Sequence, residues 1–132
     1  MNAVILDSSL ALEWFAHDAI PEALERRSLL DDHAVLVPHL WRFEVTSVLT
    51  RWRRQGKVSA ATSAHVLGEI LSLPVATVEE GSLEAVMSLA VAYELSAYDA
   101  TYLHVAMLTG EPLATLDTSL VRAAKVVGVV CV

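Results

Sequence analysis

At 132 residues the chain has the length of one ordinary domain, and residues 1–132 read as a single unit with a core of its own. Apolar residues make up 55% and the mean hydropathy is +0.50. Yet no stretch free of Asp, Glu, Lys and Arg exceeds eleven residues, about half of what a membrane-spanning helix needs. The net charge of −7 argues against a uniformly basic nucleic-acid binder, and the lone Cys131 excludes an intrachain disulfide or a thiolate metal cage.

The first predicted element is a strand at residues 4–6, which ends in Asp7. No basic segment precedes it, so neither a signal peptide nor a membrane anchor is expected, and a single cysteine fits a reducing, cytoplasmic setting. Helices are predicted at 9–16 and 21–31, followed by a strand at 34–37 and a long helix at 39–55. A helix at 60–72, ended by Pro74, leads to a strand at 75–78 and helices at 82–95 and 97–109. Gly110 and Pro112 then introduce a strand at 113–116, which ends in Asp117, a helix at 119–127 and a last strand at 129–132. The strands are continuous apolar runs rather than alternating ones, as in a sheet covered on both faces. Their alternation with helices predicts a three-layer α/β fold with a central parallel sheet of about five strands. The surplus apolar surface is expected in that sheet and in a subunit interface.

Charge is unevenly spread. Residues 42–57 hold Arg42, Arg51, Arg53, Arg54 and Lys57 against Glu44 alone, a net +4; the remainder carries four bases against fifteen acids, a net −11. A chain so polarised can offer phosphates a local basic face despite its acidic total. Arg51, Arg53, Arg54 and Lys57 are the candidate contacts to a phosphate backbone, although cations at a helix C-terminus are favourable without any ligand.

Four carboxylates stand out. In open parallel sheets, ligands bind beyond the carboxyl ends of the strands, where Asp7 and Asp117 fall. Either could be a helix N-cap, but Ser8 and Ser9 follow the first and Thr118 and Ser119 the second, so neither cap requires an Asp. Glu44 shares a stripe with Leu40, Trp41, Val48 and Trp52 and has no cation within helical reach, which is costly for a carboxylate unless something charged meets it. Asp99 completes a capping-box pattern with Ser96, yet it also aligns with the apolar residues Tyr102, Leu103 and Ala106. Carboxylates brought this close cannot all stay ionised without a cation, and hard oxygen ligands suit Mg²⁺ or Mn²⁺. His17, His33, His39, His65 and His104 show no metal-ligand spacing and read as surface or packing residues.

Four blocks, in this order and spacing, resemble one family. They are Val4-Ile5-Leu6-Asp7-Ser8-Ser9; Phe43-Glu44-Val45, in a helix that runs on to Arg53-Arg54-Gln55-Gly56-Lys57; Leu95-Ser96-Ala97-Tyr98-Asp99-Ala100; and Gly110-Glu111-Pro112-Leu113-Ala114-Thr115-Leu116-Asp117. Nearly end to end, the chain resembles the PIN-domain ribonucleases, and most closely the VapC-like toxins of bacterial toxin–antitoxin pairs. The resemblance implies that Asp7, Glu44, Asp99 and Asp117 bind or orient Mg²⁺ or Mn²⁺, with the Ser9 and Thr115 hydroxyls supporting them. It implies hydrolysis of RNA phosphodiesters, a homodimer, and inhibition by a small antitoxin. The groove for that antitoxin is expected beside Trp14 or Trp41. A metal-dependent DNA nuclease or phosphatase, or a catalytically silent module gripping a basic partner, could use the same acids.

Overall fold

A computed structural model describes residues 2–132. Its element order is β1 (Asn2–Leu6), α1 (Ser8–Glu13), α2 (Pro21–Glu25), a 3₁₀ turn (Arg26–Ser28), α3 (Leu29–Asp32), β2 (His33–Pro38), α4 (Leu40–Arg54) and α5 (Ala60–Leu71). There follow β3 (Val75–Val78), α6 (Leu83–Tyr93), α7 (Ala97–Thr109), β4 (Leu113–Ala114) and α8 (Thr118–Val127). The sheet order is β3-β2-β1-β4 and every pairing is parallel, with Ile5 opposite Leu36 on one side and Leu113 on the other. The fold is therefore α/β, a parallel sheet flanked by helices, as the alternation of elements predicts.

The apolar run of β1 reflects its central place. Val4, Ile5 and Leu6 are buried, and α7 packs across β1, β2 and β4. Residues Ala100 to Ala106 of α7 are all buried, which is the mark of a helix enclosed on every side. Because all four strands run the same way, Asp7, His39, Glu79 and Thr115 fall at a single edge, just beyond β1, β2, β3 and β4.

The sheet has four strands among the described residues, not the expected five. Residues 129–132 reach it through a single bridge, between Cys131 and Leu113, in which the Leu113 N–H donates to the Val130 carbonyl and the Val132 N–H to the Leu113 carbonyl. The cause is the shortness of β4. The Asp7 N–H closes the ladder on the Ala114 carbonyl at 2.9 Å, and Thr115 then turns its side chain to Asp7 instead of extending the strand. The expected helix over 21–31 is also interrupted. The Ser28 hydroxyl donates to the Glu25 carbonyl at 3.1 Å, and the Leu29 N–H donates to the Arg26 carbonyl, which tightens the chain into the 3₁₀ turn.

One glycine has a clear structural demand. At Gly81, in the loop after β3, φ is +77°, and a Cβ there would stand 2.5 Å from the Leu108 side chain and 2.8 Å from His104 Nε2. Any side chain there would have to displace the ends of Leu108 and His104, and the positive φ would strain it in any case.

Candidate active site

Asp7 follows β1 and starts α1, but its side chain makes no cap. Its carboxylate instead accepts hydrogen bonds from Thr115 Oγ1 at 2.6 Å and Ser9 Oγ at 2.8 Å, with the residue 3% exposed. Both hydroxyls also accept: Thr115 Oγ1 takes the Asp117 N–H at 3.0 Å, and Ser9 Oγ takes the Leu116 N–H at 3.4 Å. The end of β1 is thereby tied to the segment after β4. Burial pushes the Asp7 carboxyl up, the Thr115 and Ser9 bonds pull it back, and the charge of Asp117 raises it again; the net direction is upward.

Asp117 does cap its helix. Its Oδ1 accepts the Leu120 N–H at 3.0 Å, so part of the alternative reading for this residue is realised. Asp99 lies in the first turn of α7, and its N–H donates to Ser96 Oγ at 3.0 Å, one half of the capping box. Its carboxyl is pushed up to about 6, first by burial and then by the charges of Asp117 and Asp7.

Glu44 reaches the same place from α4. The fully buried stripe of this helix is Trp41, Val45 and Leu49, and Glu44 lies at its border with Leu40, Val48 and Trp52, all partly buried. Glu44 Oε1 accepts from Tyr102 Oη at 2.5 Å and from Ser8 Oγ at 3.2 Å; the same serine hydroxyl lies 3.4 Å from Asp7 Oδ1. Burial raises the Glu44 carboxyl, the Tyr102 bond lowers it, and the charges of Asp7 and Asp99 raise it further; the result is above the usual range. Burial and the charges of Asp7 and Glu44 also raise the Tyr102 phenol far above its ordinary value, so it stays a donor at any physiological pH.

Tyr102 and Ser8 escape the sequence reading as site residues. The one available signal was that Tyr102 stands one helical turn after Asp99. Four carboxylates from four segments thus share one electrostatic environment. No ion pair reaches any of them: among the described residues the ion pairs are His39–Glu80 and His65–Glu69. Oxygen donors of this kind are those a hard divalent cation takes, but among the described residues no three of these acids bring donor atoms within 4.8 Å of one another, so a cation held here would draw the side chains closer together.

The basic segment divides. Arg51 lines a depression beside Glu44, whereas Arg53 lines the groove between α4 and α5 and its guanidinium lies 3.5 Å from Ser63 Oγ. Two residues apart on a helix is more than half a turn, so these side chains diverge. Arg54 and Lys57 are exposed. The groove expected beside Trp14 or Trp41 is not formed by those rings, because both are in the core. Trp41 is fully buried, and the Trp14 indole N–H donates to the Ala23 carbonyl at 2.6 Å.

The group whose donor atoms do lie that close sits beyond β2 and β3 on the same edge: those of His39, Glu79 and Glu80 all fall within 4.8 Å of one another. Here Glu80 has a partner inside the group. The His39 N–H donates to Glu80, and His39 Nδ1 lies 3.0 Å and 3.1 Å from its two carboxylate oxygens. Partial burial would raise Glu80, but the bonds from His39 outweigh it and hold the carboxyl below its usual range.

Comparison with solved structures places this arrangement in a known fold. A protein of Pyrobaculum aerophilum, PAE2754, superposes with a TM-score of 0.78 at 24% identity, covering 98% of this chain and 83% of that one. VapBC2 of Rickettsia felis, described as bound to a DNA fragment from its promoter, gives 0.69 at 9% identity, over 98% and 97% of the two chains. VapC20 of Mycobacterium tuberculosis, described as a toxin that cleaves the sarcin–ricin loop, gives 0.66 at 15% identity, over 91% and 94%. No curated protein gives a significant match. The family profile described as PIN domain matches residues 4–126, a span that includes Asp7, Glu44, Asp99 and Asp117; the chain belongs to the PIN-domain family.

Proposed function

We propose that this protein is a Mg²⁺- or Mn²⁺-dependent endoribonuclease acting as the toxin of a toxin–antitoxin pair. The observation that carries the reading is the meeting of Asp7, Glu44, Asp99 and Asp117 at one sheet edge without a cation to balance them. The fold shared with VapC20 and VapBC2 supports the choice of RNA as substrate and of a small antitoxin as partner.

A divalent ion bound there supplies Lewis-acid activation of water and neutralises the phosphate against the acidic pocket. The residues of the chain do the positioning. Thr115 and Ser9 fix the plane of the Asp7 carboxylate, and Tyr102 and Ser8 fix Glu44. Asp99 or Glu44 would orient or deprotonate the attacking water. Arg51 supplies a cation for the RNA backbone next to Glu44.

The homodimer of this reading has a candidate face. Leu83, Met87 and Val91 form one exposed stripe along α6, and Met107 and Leu108 of the adjoining α7 are also exposed. A second copy of the chain covering them would bury the surplus apolar surface.

The test is turnover. Labelled single-stranded RNA, DNA of the same sequence and a small phosphodiester are incubated with the chain, with Mg²⁺, with Mn²⁺ or with EDTA. Cleavage of RNA that EDTA abolishes and the metal restores is expected. Faster cleavage of DNA or of the small ester would reassign the substrate, and absence of metal-dependent turnover on all three would leave a binding module. Co-expression with the product of the neighbouring gene should suppress both growth arrest and cleavage; equal growth with and without it would remove the toxin role.

A further inference from the structure

The chain has eight aromatic residues, and six of them are buried or half-buried. The two exceptions are Phe43, 77% exposed, and Tyr98, 63% exposed. Each immediately precedes a site acid, Glu44 on α4 and Asp99 on α7. Both line the same depression, of about 320 Å³, along with Leu40 and Val48, and Glu44 and Arg51 stand in its wall. Ser8, which bonds to Glu44, lines it as well.

We infer that Phe43 and Tyr98 form a stacking platform for an unpaired base of a single-stranded RNA, beside the phosphodiester that the acids address. This deepens the nuclease reading and rests on it. The chemistry of the depression fits a nucleotide in three respects. The exposed rings offer π faces, which take any base without demanding its hydrogen-bonding edge. Arg51 provides a cation for an adjoining phosphate. The apolar floor from Leu40 and Val48 accommodates a desolvated ring.

Geometry also restricts the substrate. A base within a duplex is already stacked and paired, so it can reach this platform only from a loop, a bulge or a single strand. An apolar peptide side chain is the rival occupant. It would use the floor but would not require flat rings above it, and it would have no use for Arg51.

The test compares cleavage of one oligoribonucleotide as a single strand and as a duplex, using the full chain with Mg²⁺ or Mn²⁺. Phe43→Ala and Tyr98→Ala should each raise KM for the single strand by roughly 5- to 100-fold. They should leave kcat within about threefold, the pattern of lost ground-state binding. Phe43→Trp and Tyr98→Phe should keep wild-type KM, whereas Phe43→Leu should behave like Phe43→Ala. Binding is read separately in an Asp7→Asn background. An oligonucleotide carrying 2-aminopurine should be quenched by the chain with Phe43 and Tyr98 intact and not by the alanine variants. Both side chains are exposed, so unchanged melting temperatures should accompany these effects. Unaltered KM in both alanine variants would overturn the platform while leaving the nuclease standing. Wild-type KM in Phe43→Leu would assign the depression to an apolar anchor, such as that of a protein partner. Absence of RNA cleavage by the wild-type chain under either metal would overturn the nuclease reading and the platform with it.

Discussion

Two clusters of acids sit along one edge of the sheet, and they have settled their electrostatics in opposite ways. Beyond β2 and β3, Glu80 is met by the backbone N–H and the imidazole of His39, and its carboxyl is held down. Beyond β1 and β4, Asp7, Glu44 and Asp99 are all pushed up by burial and by the charges of neighbouring acids, Asp117 among them. In the first cluster the bonds between Glu80 and His39 tie one loop to another. The second keeps its charges unmatched and spends its hydrogen bonds on orientation, which makes sense for a site completed from outside. Proximity of acids alone therefore does not distinguish a binding pocket from a structural clasp; the partners that each acid finds must be compared as well.

The largest expected contrast is catalytic. Loss of a hydrogen-bonding partner behind a metal ligand commonly costs about 10- to 100-fold, so loss of a ligand should cost at least about 100-fold. Asp7→Asn is expected to reach that in a metal-titrated RNA assay, and Thr115→Val to fall within the lower range. Glu80→Gln should leave the rate unchanged; a comparable loss there would erase the distinction between the clusters.

Metal binding should separate them next. With Mg²⁺ or Mn²⁺ at about a hundred times Kd, a single site that exists only in the folded state adds roughly 2.7 kcal/mol of stability. Thermal melts at pH 7.5 should show this increment for the wild type and for Glu80→Gln, and not for Asp7→Asn. Without metal, Asp7→Asn should melt higher than the wild type, because it removes one charge from a self-repelling group.

A smaller effect follows from pH. The carboxyl of Asp99 is raised from 3.8 to about 6, so in that interval the folded chain binds more protons than the unfolded one. The metal-free protein should therefore lose stability as pH climbs from about 4 through about 6, and Asp7 and Glu44 act in the same direction. Glu80, held low, acts in the opposite one: its contribution is present above the ordinary carboxylate range and is lost as pH falls. Melting curves from pH 4 to 8 in EDTA should show the net decline, and Asp99→Asn should flatten it. A curve unaffected by that substitution would mean the acids do not repel as described.

The smallest contrast lies within the basic segment. Arg51 faces the site and Arg53 faces α5, so Arg51→Ala should reduce the salt dependence of single-strand binding by about 0.7 in the logarithmic slope. Arg53→Ala should leave the slope alone. Equal slopes for the two variants would argue against a directed contact.

How much of this was legible beforehand depended on whether the cause was local. The first strand with its terminal Asp7 could be read, because a buried parallel strand demands an unbroken apolar run. Glu44 stood out because its helix puts no cation one turn away from it, three or four residues on either side. What spans the interior could not be read. Tyr102 looks like core from its neighbours, and its bond to Glu44 joins positions 58 residues apart. The basic run reads as one patch in sequence, yet helical geometry sends Arg51 and Arg53 to different grooves. The last strand failed for a similar reason. Residues 129–132 have the right composition, but the β4 they would pair with is two residues long.

The pairing of β1 with β4 has a consequence for synthesis. Asp7 emerges from the ribosome 108 positions ahead of Thr115, which fixes its carboxylate, and Asp117, which completes the four acids, comes later still. Until residues 113–117 are free, β1 lacks the neighbour that Leu113 and Ala114 provide. A nascent or truncated chain can thus hold Asp7, Glu44 and Asp99 without the finished pocket. For an enzyme proposed to cut the cell's own RNA, this topology delays activity until translation of the domain is nearly over, leaving time for an inhibitor to be at hand.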